Sequence, residues 1–360
     1  MKFSEMTYHR PDVKEMITCY KRLTERFPDC KNGKEQMQCI LEHETLKKGY
    51  QTMSTLAYIH NSMDTADEFY AAEKAFFDEQ SPLLQQCEQD FLQTVYDSKF
   101  RAELEKELGS LFFENIKIAL RCFSPEIISL LQQENALTTE YQKLLASAQI
   151  MFEGRELNLS GIGVYLQDSD RDTRKQAWGK CAEFFGEHAQ ELDEIFDKLV
   201  KNRDEQARKL GYTDYMQLGY DRLGRNCYRA PQVKVFREQI VRDLVPVTVR
   251  IRAMQAQRLG IEAVKLYDTG VSFSDGNPKP KGDTQELLSA AQRMYDEMSP
   301  QTAEFFDFMR KNELFDLESR QNKAGGGYCT EIPDYQSPFI FSNFNGTSGD
   351  VDVLTHEAGH

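Results

Sequence analysis

Histidine and tryptophan are scarce in this chain, with six and one in 360 residues. No run approaches the roughly 18 apolar residues that a membrane-spanning helix needs. The opening Met1-Lys2-Phe3-Ser4-Glu5 carries no apolar stretch, so no secretory signal is expected. Positive charge is in deficit: 44 Lys and Arg stand against 58 Asp and Glu, leaving a net charge of -14. A surface this acidic repels phosphate backbones and anionic lipid, so neither nucleic acid nor membrane is expected as a partner. The eight cysteines (Cys19, Cys30, Cys39, Cys87, Cys122, Cys181, Cys227 and Cys329) are scattered, and no C-x-x-C pair occurs. That excludes a cysteine zinc ribbon and a disulfide-stapled secreted fold, and it predicts free thiols in a reducing cytoplasm.

What is present forms cores and helices. Hydrophobic residues make up 40% and charged residues 28%, enough to bury two or three domains' worth of apolar surface. Val13, Met16, Ile17, Tyr20, Leu23 and Phe27 recur at helical spacing behind Pro11-Asp12. Long helices are expected over 33–62 and 65–97, with Asp64 or Thr65 as the cap between them, and further helix over 100–122 and 124–147. Ile150 to Leu159 reads as a hairpin turning at Glu153-Gly154. One continuous helix is expected from Thr173 to Leu210, ended by Gly211. A short helix follows over 214–226, then a longer one over 231–259 with a kink or break at Pro246. Residues 264–282, rich in glycine and proline, read as a loop, and helices return at 283–298 and 300–312. Residues 321–349 change character to glycine, proline and strand-like runs, which predicts a small irregular sheet. The fold expected is therefore mainly α, with one hairpin and one small sheet. Its divisions are an N-terminal helical domain over 1–165 and a second domain over 166–360.

The chain ends His356-Glu357-Ala358-Gly359-His360, an H-E-x-x-H pattern. On a helix, residues four apart differ by about 40° in azimuth and about 6 Å in height, so both imidazoles leave one face and can converge on one metal ion. Glu357 sits about 100° round from His356, placed to reach a water rather than the metal. A carboxylate there acts as general base, which points to metal-assisted hydrolysis with zinc as the cofactor. Thr347 or Ser348 is the expected cap of this helix, with Asp350 and Asp352 in its first turn. The remaining histidines His9, His43, His60 and His188 have no spaced partner and read as structural. A structural metal site would call for four ligands, usually including cysteine, and no cysteine lies nearby.

Around these residues the sequence resembles the oligoendopeptidase F branch of the thimet-oligopeptidase-like zinc metallopeptidases. Lys323-Ala324-Gly325-Gly326-Gly327-Tyr328-Cys329-Thr330 is similar to that family's glycine-rich stretch, and Pro338 to Thr347 to the strand before its zinc helix. The run Asp350 to His360 resembles the zinc helix itself. Upstream, Arg174 to Trp178, Arg203 to Tyr212 and Phe236-Arg237 also fit the family's pattern. The resemblance implies a multi-helix fold built around a substrate groove, with a thermolysin-like core of zinc helix plus small sheet, here incomplete. It implies cleavage of short oligopeptides by a monomer, with His356 and His360 binding zinc and Glu357 as catalytic base. Gly325, Gly326, Gly327 and Tyr328 would lie beside the substrate, which could add to the edge of the strand around Phe339–Phe344. In that family a third ligand, a glutamate, and the groups that stabilise the intermediate lie beyond the H-E-x-x-H helix. The chain is thus expected to be a truncated form, weakly active or inactive, with an apolar surface left exposed where further helices pack. The alternative is a non-catalytic helical peptide-binding protein of the same fold. Cleavage preference and the physiological peptide are not legible in the sequence.

Overall fold

The computed structural model describes residues 1–360. Six helices fill the N-terminal part: α1 (Val13–Arg26), α2 (Gly33–Met63), α3 (Glu68–Tyr96), α4 (Arg101–Leu108), α5 (Ser110–Arg121) and α6 (Ile128–Ala146). The break between α2 and α3 falls where the composition placed it, but the cap is Asp67. Its carboxylate accepts the Tyr70 N–H at 3.0 Å, and Asp64 instead accepts from Ala66. The stretch expected as one helix over 100–122 is divided at Gly109. The hairpin is present as β1 (Ile150–Phe152) and β2 (Arg155–Leu157). Glu153 and Gly154 both adopt positive φ, 51° and 71°, as the tightest two-residue antiparallel turns require.

The second half continues with α7 (Arg171–Glu187), α8 (Ala189–Lys209), α9 (Tyr215–Arg222), α10 (Ala230–Gln239) and α11 (Val245–Leu259). The single helix expected from 173 to 210 is two helices meeting at His188, whose backbone leaves the helical region at ψ 9°. No proline marks that break, and Gly186, two residues before it, was the weak local sign. Pro246 distorts its helix without ending it. Residues Ile240–Leu244 wind as one π turn, and the Val245 N–H reaches back to the Ile240 carbonyl. An imino acid with no N–H breaks the ordinary ladder, and the wider turn takes up the mismatch. Along this stretch apolar side chains such as Phe236, Val241 and Val249 stay exposed. No helix is long and apolar enough to cross a membrane.

A buried knot ties residues 264–282 to α7. Asp268 is fully buried and accepts from Arg171 at 2.8 and 3.0 Å and from Arg174 at 3.0 Å. Arg174, itself 3% exposed, also donates to the carbonyls of Asp168, Ser169 and Tyr267. From α11, Gln255 donates to the carbonyls of Asp268 and Val271. Every group in the knot has a partner, which is what permits its burial. The guanidinium of Arg171 holds the Asp268 carboxyl well below the usual carboxylate range.

The chain then forms α12 (Thr284–Met298), α13 (Pro300–Lys311), β3 (Phe315–Glu318), β4 (Tyr328–Ile332), β5 (Ser337–Phe344) and α14 (Gly349–Gly359). The small sheet begins earlier than its glycine-rich composition suggested, because β3 precedes that segment. Its order is β3-β5-β4, with β3 parallel and β4 antiparallel to β5. The largest core joins both ends of the chain at this sheet. Phe3, Leu56, Ile59 and Phe77 pack with Phe306, Phe339 and Phe341. Phe339 and Phe341 are fully buried, each contributing about 1.5–3 kcal/mol of apolar transfer. This core presses α2 against one side of the sheet and leaves α14 on the other.

Candidate metal and peptide site

α14 brings the two histidines of the motif together. Nε2 of His356 and Nε2 of His360 lie 3.2 Å apart on the exposed face of the helix. Two nitrogens each about 2.0–2.1 Å from one tetrahedral zinc ion lie about 3.3–3.4 Å apart, so the pair fits a shared metal. No third histidine, cysteine or carboxylate joins them to complete a cluster. Glu357 lies round the helix from His356 and is buried, 8% exposed. Ser348 stands at the cap position, as expected. Neither Thr347 nor Ser348 caps it by a side-chain bond, and Thr347 donates instead to Asn345. Asp350 reaches back to the N–H groups of Asn345 and Gly346 at 3.1 and 2.8 Å, pinning the loop between β5 and α14. Burial raises the Asp350 carboxyl against those two bonds.

The glycine-rich segment divides into two roles. Gly327 is pressed against α14: a Cβ there would lie 3.2 Å from Val353, 3.3 Å from the Phe341 carbonyl and 3.6 Å from Glu357. Only a residue without a side chain admits that approach. Gly325 and Gly326 face open space. Asn343 on β5 holds the loop by donating to the carbonyls of Ala324 and Gly326 at 2.8 and 2.9 Å. Tyr328 stacks on Phe341 with ring centroids 4.8 Å apart and also meets Tyr58 of α2. Its hydroxyl is buried without a hydrogen-bond partner, and burial pushes its pKa far up, so it stays neutral. Lys323 is fully buried beneath it, donating to the carbonyls of Asp316 and Glu318 and paired with the Asp316 carboxylate. Desolvation brings its ammonium down to about 8. Cys329 points to the opposite side, where burial and then the charge of Glu357 raise its thiol pKa.

Gly327→Ala is expected to cost about 1–3 kcal/mol, because the Phe341 carbonyl belongs to a paired strand and cannot retreat. Gly325→Ala, with nothing in its way, should stay within about 0.5 kcal/mol. Urea unfolding of the two variants checks the contrast, and equal stabilities would show that the close contact is immaterial.

The strand flanking the site is not the one expected. β5 lies between β3 and β4, and β4 covers Ser337–Phe341, so no peptide can add along Phe339–Phe341. β3 and β4 are the two edge strands, and β4 is the one led by the glycine-rich segment. The Ile340 N–H points to β3, where it meets the Leu314 carbonyl at 3.1 Å. Alternation then turns Phe339 and Phe341 toward their β4 partners, Thr330 and Tyr328. Cys329 and Glu331 are left with their N–H and C=O groups facing outward, unused by any other segment. Pro338, opposite Glu331, costs the β4–β5 ladder nothing, since its ring nitrogen lies on the side away from β4. Spacing alone gave no sign of which strand holds the edge. The one signal available was the shorter length of the glycine-led strand, while Pro338, near the start of β5, reads as an edge-strand residue and points the other way.

Comparison with known proteins places this arrangement in a family. Residues 3–123 match the peptidase M3 N-terminal domain, and residues 164–360 match peptidase family M3. The chain belongs to peptidase family M3. Among solved structures it is similar to Pz peptidase A, described with a bound inhibitor, at 44% identity and a TM-score of 0.99. That match covers 100% of this chain and 64% of the other. A Bacillus anthracis (strain Ames) protein described as a candidate oligoendopeptidase F matches at 43% identity and a TM-score of 0.99, over 100% of this chain and 66% of the other. The chain thus spans a little under two thirds of the length of these structures. Comparison with curated proteins finds no match.

Proposed function

We infer that this chain carries the zinc-binding and base residues of an oligopeptide-cleaving metallopeptidase. The observation that carries the reading is the 3.2 Å pair of His356 and His360 beside buried Glu357, below the free edge of β4. Family membership and the similarity to an inhibitor-bound peptidase support it.

His356 and His360 would hold the metal. Zinc, when bound, polarises a peptide carbonyl and makes water acidic enough to give up its proton near neutral pH. Glu357 takes the proton from the attacking water and returns it to the leaving amine. The outward N–H and C=O of Cys329 and Glu331 bind the substrate main chain as an added strand. Main-chain recognition of this kind requires an extended segment, so short peptides and unfolded chains are substrates and folded proteins are not. Residues 166–360 form the catalytic part and 1–165 the helical wall opposite it. With two protein donors instead of the three of a catalytic zinc site, these 360 residues hold zinc weakly and turn substrate over slowly. A reducing compartment such as the cytoplasm is the reading that the eight scattered cysteines, with no C-x-x-C pair among them, support.

Calorimetric titration with zinc tests the assignment. One weakly bound ion per chain is expected, lost in His356→Ala and in His360→Ala and retained in Glu357→Gln. Zinc uptake that survives both histidine substitutions would sink it.

A further inference from the structure

The start of β4 presents two different faces to anything added along its open edge. Gly327 and Cys329 look toward α14. A Cβ on Gly327 would lie 3.6 Å from Glu357, and burial and then the charge of Glu357 raise the Cys329 thiol pKa. Tyr328, between them, looks the other way, stacked on Phe341 and meeting Tyr58 of α2. On that face a cavity of about 410 Å³ opens beside the strand. Its apolar walls are Tyr58, Tyr141, Leu145, Leu159 and Tyr328. They come from α2, α6, the stretch after the hairpin and β4 itself. No residue of β3 or β5 takes part, so the cavity sits over the open edge rather than over the sheet. Gly325 and Gly326 line it too and leave it unfilled, since a Cβ on either would touch nothing. The one charged side chain among the lining residues, Lys323, is turned away onto Asp316 and Glu318.

Strand geometry aims an added peptide at this cavity. The N–H and C=O of Tyr328 point inward to its partner Phe341, while those of Cys329 point outward. An antiparallel peptide residue set opposite Tyr328 therefore makes no hydrogen bond with it. In such pairs the Cα atoms approach to about 4.5 Å and the side chains come closest. That residue also shares the face of Tyr328, because directly opposed residues lie on one side of a sheet. Its side chain meets the Tyr328 ring and enters the apolar cavity. Aromatic pairs are among the favoured cross-strand contacts. The next residue of the peptide, opposite Cys329, shares the other face and is presented to Glu357.

We propose that the Tyr58–Tyr141 cavity is a side-chain subsite that selects peptides bearing a large apolar residue, aromatic above all, at the position paired with Tyr328. The inference rests on the reading of β4 as the peptide-binding edge, and it names the substrate class that edge takes. A charged side chain at that position gives up its hydration to an apolar wall that offers no partner. Alanine leaves the wall in water and the contact with Tyr328 unmade.

The test is binding of acetylated, amidated heptapeptides to the full-length Glu357→Gln chain with zinc present, followed by fluorescence polarisation so that no peptide is cut. The reference peptide carries one phenylalanine at its centre in a background of alanine and threonine. Replacing the phenylalanine by aspartate or lysine is expected to weaken binding about tenfold or more, and by alanine about fivefold. Tyr141→Ala, at an exposed position, should shrink the gap between the phenylalanine and alanine peptides about threefold, and Tyr141→Phe should restore it. Affinity for the alanine peptide should not change in either variant, because the main-chain bonds to Cys329 and Glu331 are untouched. A general loss of structure would weaken both peptides alike. Peptides that bind equally well whatever their central residue overturn the inference and leave the peptide-edge reading intact. A phenylalanine preference that survives Tyr141→Ala in full overturns it also. Failure of every peptide to bind overturns both.

Discussion

Glu357→Gln is expected to lower the rate of peptide hydrolysis by about 10²–10⁴-fold, the range a positioned general base contributes. The substitution keeps the shape of the side chain, and Glu357 sits in a tight place between α14 and Gly327. An amide fits there without moving the strand, so loss of rate reports loss of the proton acceptor. Zinc uptake should be unchanged, because both imidazoles lie on the exposed face of the helix and Glu357 does not. Initial rates on an internally quenched peptide at saturating zinc make the measurement. A variant within a few-fold of the original rate would remove Glu357 from the chemistry. It would favour the competing account, in which the same strand edge holds peptides without cutting them.

Asp268→Asn is expected to destabilise the fold by about 3–5 kcal/mol, the cost of leaving a buried charge without its partner. Arg174 is 3% exposed and cannot turn to water when the carboxylate is lost. The knot also holds Gln255, and with it α11, so the loss spreads to a helix with few other anchors. The pH dependence has a definite sign. Interaction with Arg171 and Arg174 depresses the folded pKa of Asp268 below its unfolded value near 4. The resulting stability is fully present above the unfolded value and is lost as pH falls toward the folded one. Urea melts at pH 7 and at pH 3 should show the gap between the original protein and Asp268→Asn narrowing in acid. Asp172→Asn, at an exposed position of the same helix, should change stability by no more than about 0.5 kcal/mol. A gap that does not narrow in acid would mean the carboxylate's charge is not what stabilises the knot.

Much of the helical pattern was legible because helices are local. Apolar spacing from Val13 to Phe27, the Ser124 start, the Glu153-Gly154 turn and the proline effect at 246 all depend on residues within a turn or two of one another. Breaks at Gly109 and His188 were missed for different reasons. Gly109, at φ 82°, was a local signal passed over, whereas the break at His188 lies two residues after Gly186 and is set by packing of α7 and α8 on different neighbours. The start of α14 at Ser348 was legible, but what supports it was not: Asp350 bonds to the preceding loop, a choice available only once β5 has delivered that loop to it.

The sequence by itself determined the family and the pair of histidines, since four-residue spacing on a helix dictates that two imidazoles meet whatever surrounds them. Tertiary structure alone decided which strand is free to receive a peptide. Strand order is a long-range property: β3, remote from the glycine-rich segment in character, covers one edge of β5 and β4 the other, which leaves the open hydrogen bonds on β3 and β4. The same packing brings Gly327 against Val353 and Glu357 of α14 and Tyr328 against Tyr58 of α2, 270 residues earlier in the chain, and no local pattern records those meetings.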